Sequence, residues 1–133
     1  MNRLKGKIEA INSHDELLLI ELNVQETKMK AIVIGKPDDY SYLEIGNEIA
    51  ILFKETEVII SSYKNLNISI QNKLTCTITS LKKGKLLSQV NLDFNGISLS
   101  SIITTNSIEN LNLKNEDTVT ALIKTNEIIL SEC

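Results

Sequence analysis

The stretch Asn2-Arg3-Leu4-Lys5-Gly6-Lys7-Ile8 returns further along the chain as Asn72-Lys73-Leu74-Thr75-Cys76-Thr77-Ile78, an offset of 70 residues from Asn2 to Asn72. The same offset places Ala50-Ile51-Leu52-Phe53-Lys54 on Thr120-Ala121-Leu122-Ile123-Lys124, and Glu57–Ile60 on Glu127–Leu130. A single shift without gaps predicts two copies of one fold. We expect the first unit at residues 1–62, a linker at residues 63–67 and the second unit at residues 68–133.

Each copy contains several short runs of the kind that form β-strands, in which apolar residues alternate or cluster between turn signals. These runs are Lys5–Ile11, Leu17–Leu22, Ile49–Phe53 and Val58–Ile60, and in the second copy Thr75–Leu81, Gln89–Phe94, Val119–Ile123 and Ile128–Leu130. One short helical turn is expected before Leu43 and another at Ser107–Leu111, with Ser107 as its cap. The pattern predicts an all-β protein made of two tandem five-stranded barrels of the OB type, each with a short helical turn.

The composition is that of a folded domain and disfavours several kinds of partner. Apolar residues make up 42% of the 133 residues and charged residues 23%, with a net charge of −3. An acidic chain with few aromatic residues is a poor candidate for binding nucleic acid, which needs cationic and stacking side chains. Cys76 and Cys133 have no metal-ligand spacing, and no apolar run has membrane-spanning length. We expect no metal site, no membrane contact and a reducing, cytoplasmic setting.

The order of three motifs resembles the molbindin family, whose unit is also called the Mop or TOBE domain. In the first copy these motifs are Asn2–Ile8, Leu43–Glu48 and Leu52–Ile60. The second copy repeats them as Ser69-Ile70-Gln71-Asn72-Lys73-Leu74, Ile103-Thr104-Thr105-Asn106-Ser107 and Ala121-Leu122-Ile123-Lys124. The resemblance covers nearly the whole chain and has the two-copy form of the tandem molbindins. Neither a helix-turn-helix region nor a phosphate-binding loop accompanies the two units.

The resemblance implies a function and an assembly. Tandem molbindins bind molybdate or tungstate inside the cell, for storage or homeostasis, and they associate as trimers with the oxyanion at contacts between units. They are not enzymes, and no acid, base or nucleophile constellation stands out in this sequence. We therefore expect a homotrimer that holds a small oxyanion without transforming it.

The resemblance also implies the residues of the site. Molybdate carries only hydrogen-bond acceptors, so its site needs hydroxyls, N–H groups and cations. The matching positions in the second copy are Ser69, Gln71, Thr104, Ser107 and Lys124, where Gln71 replaces the arginine typical of the family. In the first copy only Lys54 remains, because Ile34 and Pro37 replace the hydroxyl residues. The sequence thus favours a site built mainly from the second copy, which Lys124→Ala should abolish or sharply weaken.

Three other interpretations compete with anion binding. The missing arginine and the altered first copy also fit a degenerate TOBE pair that serves as an oligomerisation or interaction module and binds no anion. An OB-like nucleic-acid binder is disfavoured by acidity and by the scarcity of aromatic residues, and an enzyme is the least favoured. Thr104 and Ser107 could also be ordinary turn and cap residues, and an exposed lysine at the end of a strand needs no functional explanation.

Overall fold

The computed structural model describes all 133 residues and contains ten β-strands in two five-stranded antiparallel sheets. The strands of the first copy are β1 (Asn2–His14), β2 (Leu17–Val24), β3 (Thr27–Ile34), β4 (Glu48–Phe53) and β5 (Ile59–Ser61). Those of the second copy are β6 (Asn72–Lys83), β7 (Leu87–Phe94), β8 (Ile97–Thr104), β9 (Thr118–Ile123) and β10 (Ile129–Ser131). The prediction of an all-β chain with two OB-like units is therefore confirmed.

Each sheet is completed by a strand from the other copy. The first sheet has the order β10-β4-β1-β2-β3, and the second has the order β5-β9-β6-β7-β8. Leu130 of the second copy lies opposite Ile51, and Ile60 of the first copy lies opposite Ala121. The exchange is reciprocal and obeys the offset of the repeat. The two repeats follow one another along the chain, whereas each sheet in space contains residues of both.

The two motif asparagines fasten the halves together. The Asn2 side-chain amide donates to the carbonyl of Ser100 at 2.8 Å and accepts from its N–H at 2.8 Å. Asn72 does the same to Lys30, with distances of 2.9 Å and 2.7 Å. Both asparagines are buried. A buried amide normally finds hydrogen-bond partners, and here the partners are the backbone of the opposite half.

A single hydrophobic core runs through both halves. It contains 27 buried residues, among them Phe53 and Val58 of the first copy and Phe94 and Ile123 of the second. A unit of about 65 residues buries too little surface to be stable with a wide margin. The shared core and the exchanged strands remove that limit, because neither half has to form a core alone.

The helical segments differ between the copies. The second copy has the α-helix α1 (Thr105–Leu111), whereas the first copy has only the 3-10 helix Pro37–Asp39 at the corresponding place. The prediction of a cap at Ser107 was wrong. Thr104 is the N-cap, and its hydroxyl accepts from the N–H of Ser107. Two more 3-10 helices, Glu55–Glu57 and Thr125–Glu127, precede the exchanged strands.

Candidate functional site

The hydroxyl groups predicted for the site lie together at the end of β8. The Thr104 and Ser107 hydroxyls are 2.7 Å apart, and Thr104 Oγ1 lies 3.1 Å from the N–H of Ser107. Thr104 is exposed and Ser107 is half-buried. The cap geometry fixes both hydroxyls at one place on the surface, so the capping role and an anion-facing role are compatible.

The β6–β7 hairpin braces this end of β8. Thr105 donates its N–H to the carbonyl of Leu86 at 2.9 Å and its hydroxyl to the carbonyl of Gly84 at 2.8 Å. Its hydroxyl also lies 2.7 Å from that of Ser88, which is buried. These contacts join the start of α1 to the hairpin tip, so that Thr104 and Ser107 stand on a rigid support.

Because of the strand exchange, the segment that follows each predicted lysine packs against a strand of the other copy. Lys54 immediately precedes the 3-10 helix Glu55–Glu57, which packs against β8, the strand that carries Thr104. Lys124 precedes the 3-10 helix Thr125–Glu127, which packs against β3, the strand that ends at Ile34. Both lysines are exposed and form no ion pair. Within one chain, the first-copy segment that begins after Lys54 thus packs against the second-copy strand β8.

Gln71 accompanies Lys124. Asn72 lies opposite Ile123 in the β6–β9 pair, which places Gln71 beside Lys124 at the same sheet end. Asn72 itself holds Lys30 of β3. Ser69 and Gln71 are both exposed. Among the six predicted residues, the structure therefore pairs Thr104 with Ser107 and Gln71 with Lys124, and Lys54 leads a segment that packs against β8.

The corresponding end of the first copy has a different chemistry. Ile34 is 78% exposed and stands where the second copy has Thr104. The hydroxyl of Tyr40 donates to the carbonyl of Ile34 and closes the loop at Gly35. A cavity of about 310 Å³ beside this loop has only apolar and tyrosine residues in its lining, including Ile129 of the exchanged strand. This end offers a tetrahedral anion few donors.

Two further features bear on which functions the chain can serve. The structure holds no group of three or more His, Cys, Asp or Glu side chains that could bind a metal ion. Its one α-helix has seven residues, and no helix is long and apolar enough to cross a membrane. Burial raises the pKa of the Cys76 thiol to about 12, with a smaller contribution from the carboxylate of Asp93. The Cys76 thiol is therefore protonated and packed rather than reactive.

The role of the motif asparagines and the support given by the hairpin were not predicted from the sequence. Asn2 and Asn72 were motif positions without an assigned contact, although their presence in both copies was a usable signal. The bonds from Thr105 to Gly84 and to Ser88 join the start of α1 to the β6–β7 hairpin, and a repeat pattern contains no information about that contact.

Comparison with known proteins places the chain in a family. The TOBE domain family matches residues 68–130. Molybdenum-pterin-binding protein 1 of Clostridium pasteurianum is 33% identical over 66 residues, which are 49% of this chain and 97% of that protein. Molybdenum-pterin-binding protein 3 of the same organism is 33% identical over the same shares.

The fold comparison covers almost the complete chain. The structure of the cytoplasmic molybdate-binding protein ModG, with molybdate bound, superimposes with a TM-score of 0.92 at 23% identity, over 99% of this chain and 96% of that one. Fold and repeat together define the class of tandem β-barrels built from two OB-like units. Within that class, the chain belongs to the molbindin family of Mop/TOBE proteins.

Proposed function

We propose that this protein binds molybdate, or the closely similar tungstate, and serves in its storage or homeostasis. The observation that carries the proposal is the pair of hydroxyls at Thr104 and Ser107, which are bonded to each other where β8 ends and α1 begins. The β6–β7 hairpin braces this end, and the segment led by Lys54 packs against β8. Relatives of this family are molybdenum-pterin-binding proteins. Membership of the family and the hydroxyl donors at the end of β8 both support molybdate as the ligand.

The chemistry of such a site is recognition without reaction. Molybdate is a tetrahedral dianion, and hydroxyl and ammonium donors can each take one of its oxygens. One of the two hydroxyls donates to the other, and the hydrogen of the second is left to point outward, because the cap needs only the oxygen of Thr104. Lys54 supplies positive charge without an internal carboxylate partner. We propose no catalytic step, since the site needs only to hold and release the anion.

The two ends of the molecule should not bind equally. Ile34 and Pro37 replace hydroxyl residues, and the nearby cavity is apolar. Leaving anion oxygens without donors at that end costs binding free energy. We propose that the end at Thr104 binds and that the end at Ile34 contributes little, so fewer anions bind than a symmetric pair of units would hold.

Assembly and location follow from the same proposal. We propose a homotrimer, as in the tandem molbindins that the chain resembles, and exposed apolar residues such as Ile34 and Ile45 support association with further copies. A cytoplasmic location agrees with two free cysteines, Cys76 and Cys133. The solved relative ModG is itself a cytoplasmic protein.

A second candidate function has its own supporting observation. Gln71 replaces an arginine, and the end at Ile34 is apolar, as expected of a degenerate pair that only assembles or docks a partner. Such a module would show no anion binding at either end. The intact hydroxyl pair at Thr104 and Ser107 favours the binding function.

Calorimetric titration with molybdate, tungstate and sulfate separates the two functions. We expect micromolar or tighter binding of molybdate or tungstate and no heat with sulfate. The Ser107→Ala variant removes one hydroxyl and keeps the cap, since Thr104 bonds to the backbone N–H, and it should bind about tenfold more weakly. Ser98→Ala, an exposed serine at the far end of β8, is the matched control. No heat from the unmodified protein with any anion would overturn the proposal and leave the assembly module.

A further inference from the structure

One outward face of the second sheet gathers cationic and polar side chains beside Thr104. In the register of β7 with β8, Leu87 lies opposite Thr104 and Gln89 opposite Ile102. In the register of β6 with β7, Lys82 lies opposite Gln89. Directly opposed residues point to the same face of a sheet, as do residues two apart on one strand. Lys82, Gln89 and Thr104 therefore share one face.

A concave surface includes Lys82 and Gln89 and reaches the cross-strand partner of Thr104. A cavity of about 310 Å³ lies on this face and has Lys82, Lys83, Gln89 and Ile102 in its lining. Leu87, the cross-strand partner of Thr104, also borders it. No carboxylate is part of the lining. A cavity with cations and an amide, next to exposed hydroxyls, suits an anion rather than an apolar or cationic ligand.

The lysines of this hairpin have no internal partner. Lys82, Lys83 and Lys85 are exposed, and none of them forms an ion pair. Elsewhere on the protein, lysines such as Lys5 and Lys28 are paired with glutamates. In a chain of net charge −3, three neighbouring unpaired lysines create a local positive potential that attracts anions.

The equivalent face of the first copy lacks all these features. Asn12 stands at the position of Lys82, Leu19 at that of Gln89, and Ile34 at that of Thr104. The hairpin tip there carries Asp15 and Glu16, where the second copy has Lys85 and Leu86. The hairpin of the second copy therefore carries lysines, and the equivalent hairpin of the first copy carries carboxylates. The end at Thr104 attracts anions, and the end at Ile34 repels them.

We propose that Lys82 is a second cationic ligand of the oxyanion at the Thr104 end, in addition to Lys54, while Lys83 and Lys85 draw the anion towards it. This inference rests on the proposed function, because it adds a residue to the same site. The ligand class is a small tetrahedral dianion. Part of its charge is met by an ammonium group from the hairpin.

The test is titration of the full chain with molybdate at low and at high salt. Lys82→Gln should weaken binding about fivefold to tenfold at low salt and reduce its salt dependence, since one charge-assisted contact is lost. Lys82→Arg should restore most of the affinity, because it restores the charge. The matched control is Lys7→Gln, which removes the same charge from an exposed lysine of the other sheet.

The outcomes separate this inference from the function on which it rests. Binding by the unmodified protein, with Lys82→Gln equal to Lys7→Gln, would overturn the role of Lys82 and leave the function standing. An equal loss in Lys82→Gln and Lys82→Arg, with unchanged thermal stability, would also overturn it, because charge would not be the cause. No binding by the unmodified protein would overturn both.

Discussion

Asn72 reproduces with its side chain the two hydrogen bonds that a neighbouring strand would make to Lys30. Its amide oxygen accepts from the Lys30 N–H at 2.7 Å, and its amide nitrogen donates to the Lys30 carbonyl at 2.9 Å. Lys30 lies in β3, the edge strand of the first sheet. The edge of one half is therefore capped by a side chain of the other half, and Asn2 repeats the arrangement on Ser100.

Asn72→Ala should lower the free energy of unfolding by about 2–4 kcal/mol, because it leaves a buried N–H and a buried carbonyl without partners. Asn72→Asp keeps the acceptor, loses the donor and should also be destabilising. Chemical denaturation of each variant measures the change. Asn110→Ala, at an exposed asparagine of α1, serves as the control. An equally small effect at both positions would contradict the proposed contribution of the two hydrogen bonds between Asn72 and Lys30.

Cutting the chain between the two copies should leave the halves associated. The segment from Ser62 to Gln71 has no strand or helix, whereas β5 and β10 cross between sheets and the core is shared. A protease site inserted after Lys64, an exposed residue, allows the cut to be made in the folded protein. Size-exclusion chromatography should show one species of unchanged size, with two fragments released only in denaturant. Separation of the fragments under native conditions would show that the exchange is not what joins the halves.

The repeat made most of the fold predictable. Two strands per molecule and the exchange of strands between the sheets were not predicted, and each has a physical reason. Alternation and the offset located eight of the strands, but Thr27–Ile34 and Ile97–Thr104 were not assigned, because the alternation breaks down in their second halves, at Ala31–Ile34 and Ser100–Ile103. The exchange of β5 and β10 could not be predicted. Two repeats with the same strand pattern offer each strand two equivalent partners, and the pattern of a repeat is the same for either choice.

The family motif supplied the residue types of the candidate site but not their grouping. It points to Thr104, Ser107 and the two lysines, and the structure places Thr104 at the end of β8, Ser107 in the first turn of α1 and the lysines directly after β4 and β9. Which lysine accompanies the hydroxyls depends on the exchange, so the sequence favoured Lys124 of the same copy. The structure brings the segment led by Lys54 to β8 instead.

Gly6 and Cys76 occupy equivalent positions whose neighbours differ in size. A Cβ on Gly6 would lie 2.8 Å from Ile51 Cδ1 and 2.9 Å from a methyl of Val24, whereas Ala121 stands at the position of Ile51 in the second copy. Gly6→Cys should destabilise the protein by about 1–3 kcal/mol through overpacking. Combining it with Ile51→Ala should cost less than the sum of the two single changes. A double-mutant cycle measures this coupling, and strict additivity would show that the two positions do not compensate each other.

Cys76 should make stability depend on pH in the alkaline range. Its pKa is raised from about 9 to about 12 by burial and by Asp93, so the unfolded chain releases the thiol proton at a lower pH than the folded chain. The contribution of the protonated Cys76 thiol to the free energy of unfolding is complete below pH 9. It is lost as the pH rises towards 12, by up to about 1.4 kcal/mol per pH unit. Unfolding free energies at pH 8 and pH 10 should differ less in Cys76→Ala than in the unmodified protein. A thiol reagent provides a second check, since exposed Cys133 should react in the native state and Cys76 only after unfolding.

Because β5 and β10 are exchanged, the two site lysines should differ in how much they contribute to molybdate binding. Lys54→Ala should weaken molybdate binding about tenfold or more, because the segment that Lys54 leads packs against the strand bearing Thr104. Lys124→Ala should have the smaller effect, because the segment that it leads packs against the strand that ends at the apolar Ile34. Both lysines are exposed and unpaired, so neither change should alter the melting temperature. Titration of the two variants side by side measures the order. A larger loss in Lys124→Ala would mean that the anion contacts the lysine of its own copy, and it would overturn this order.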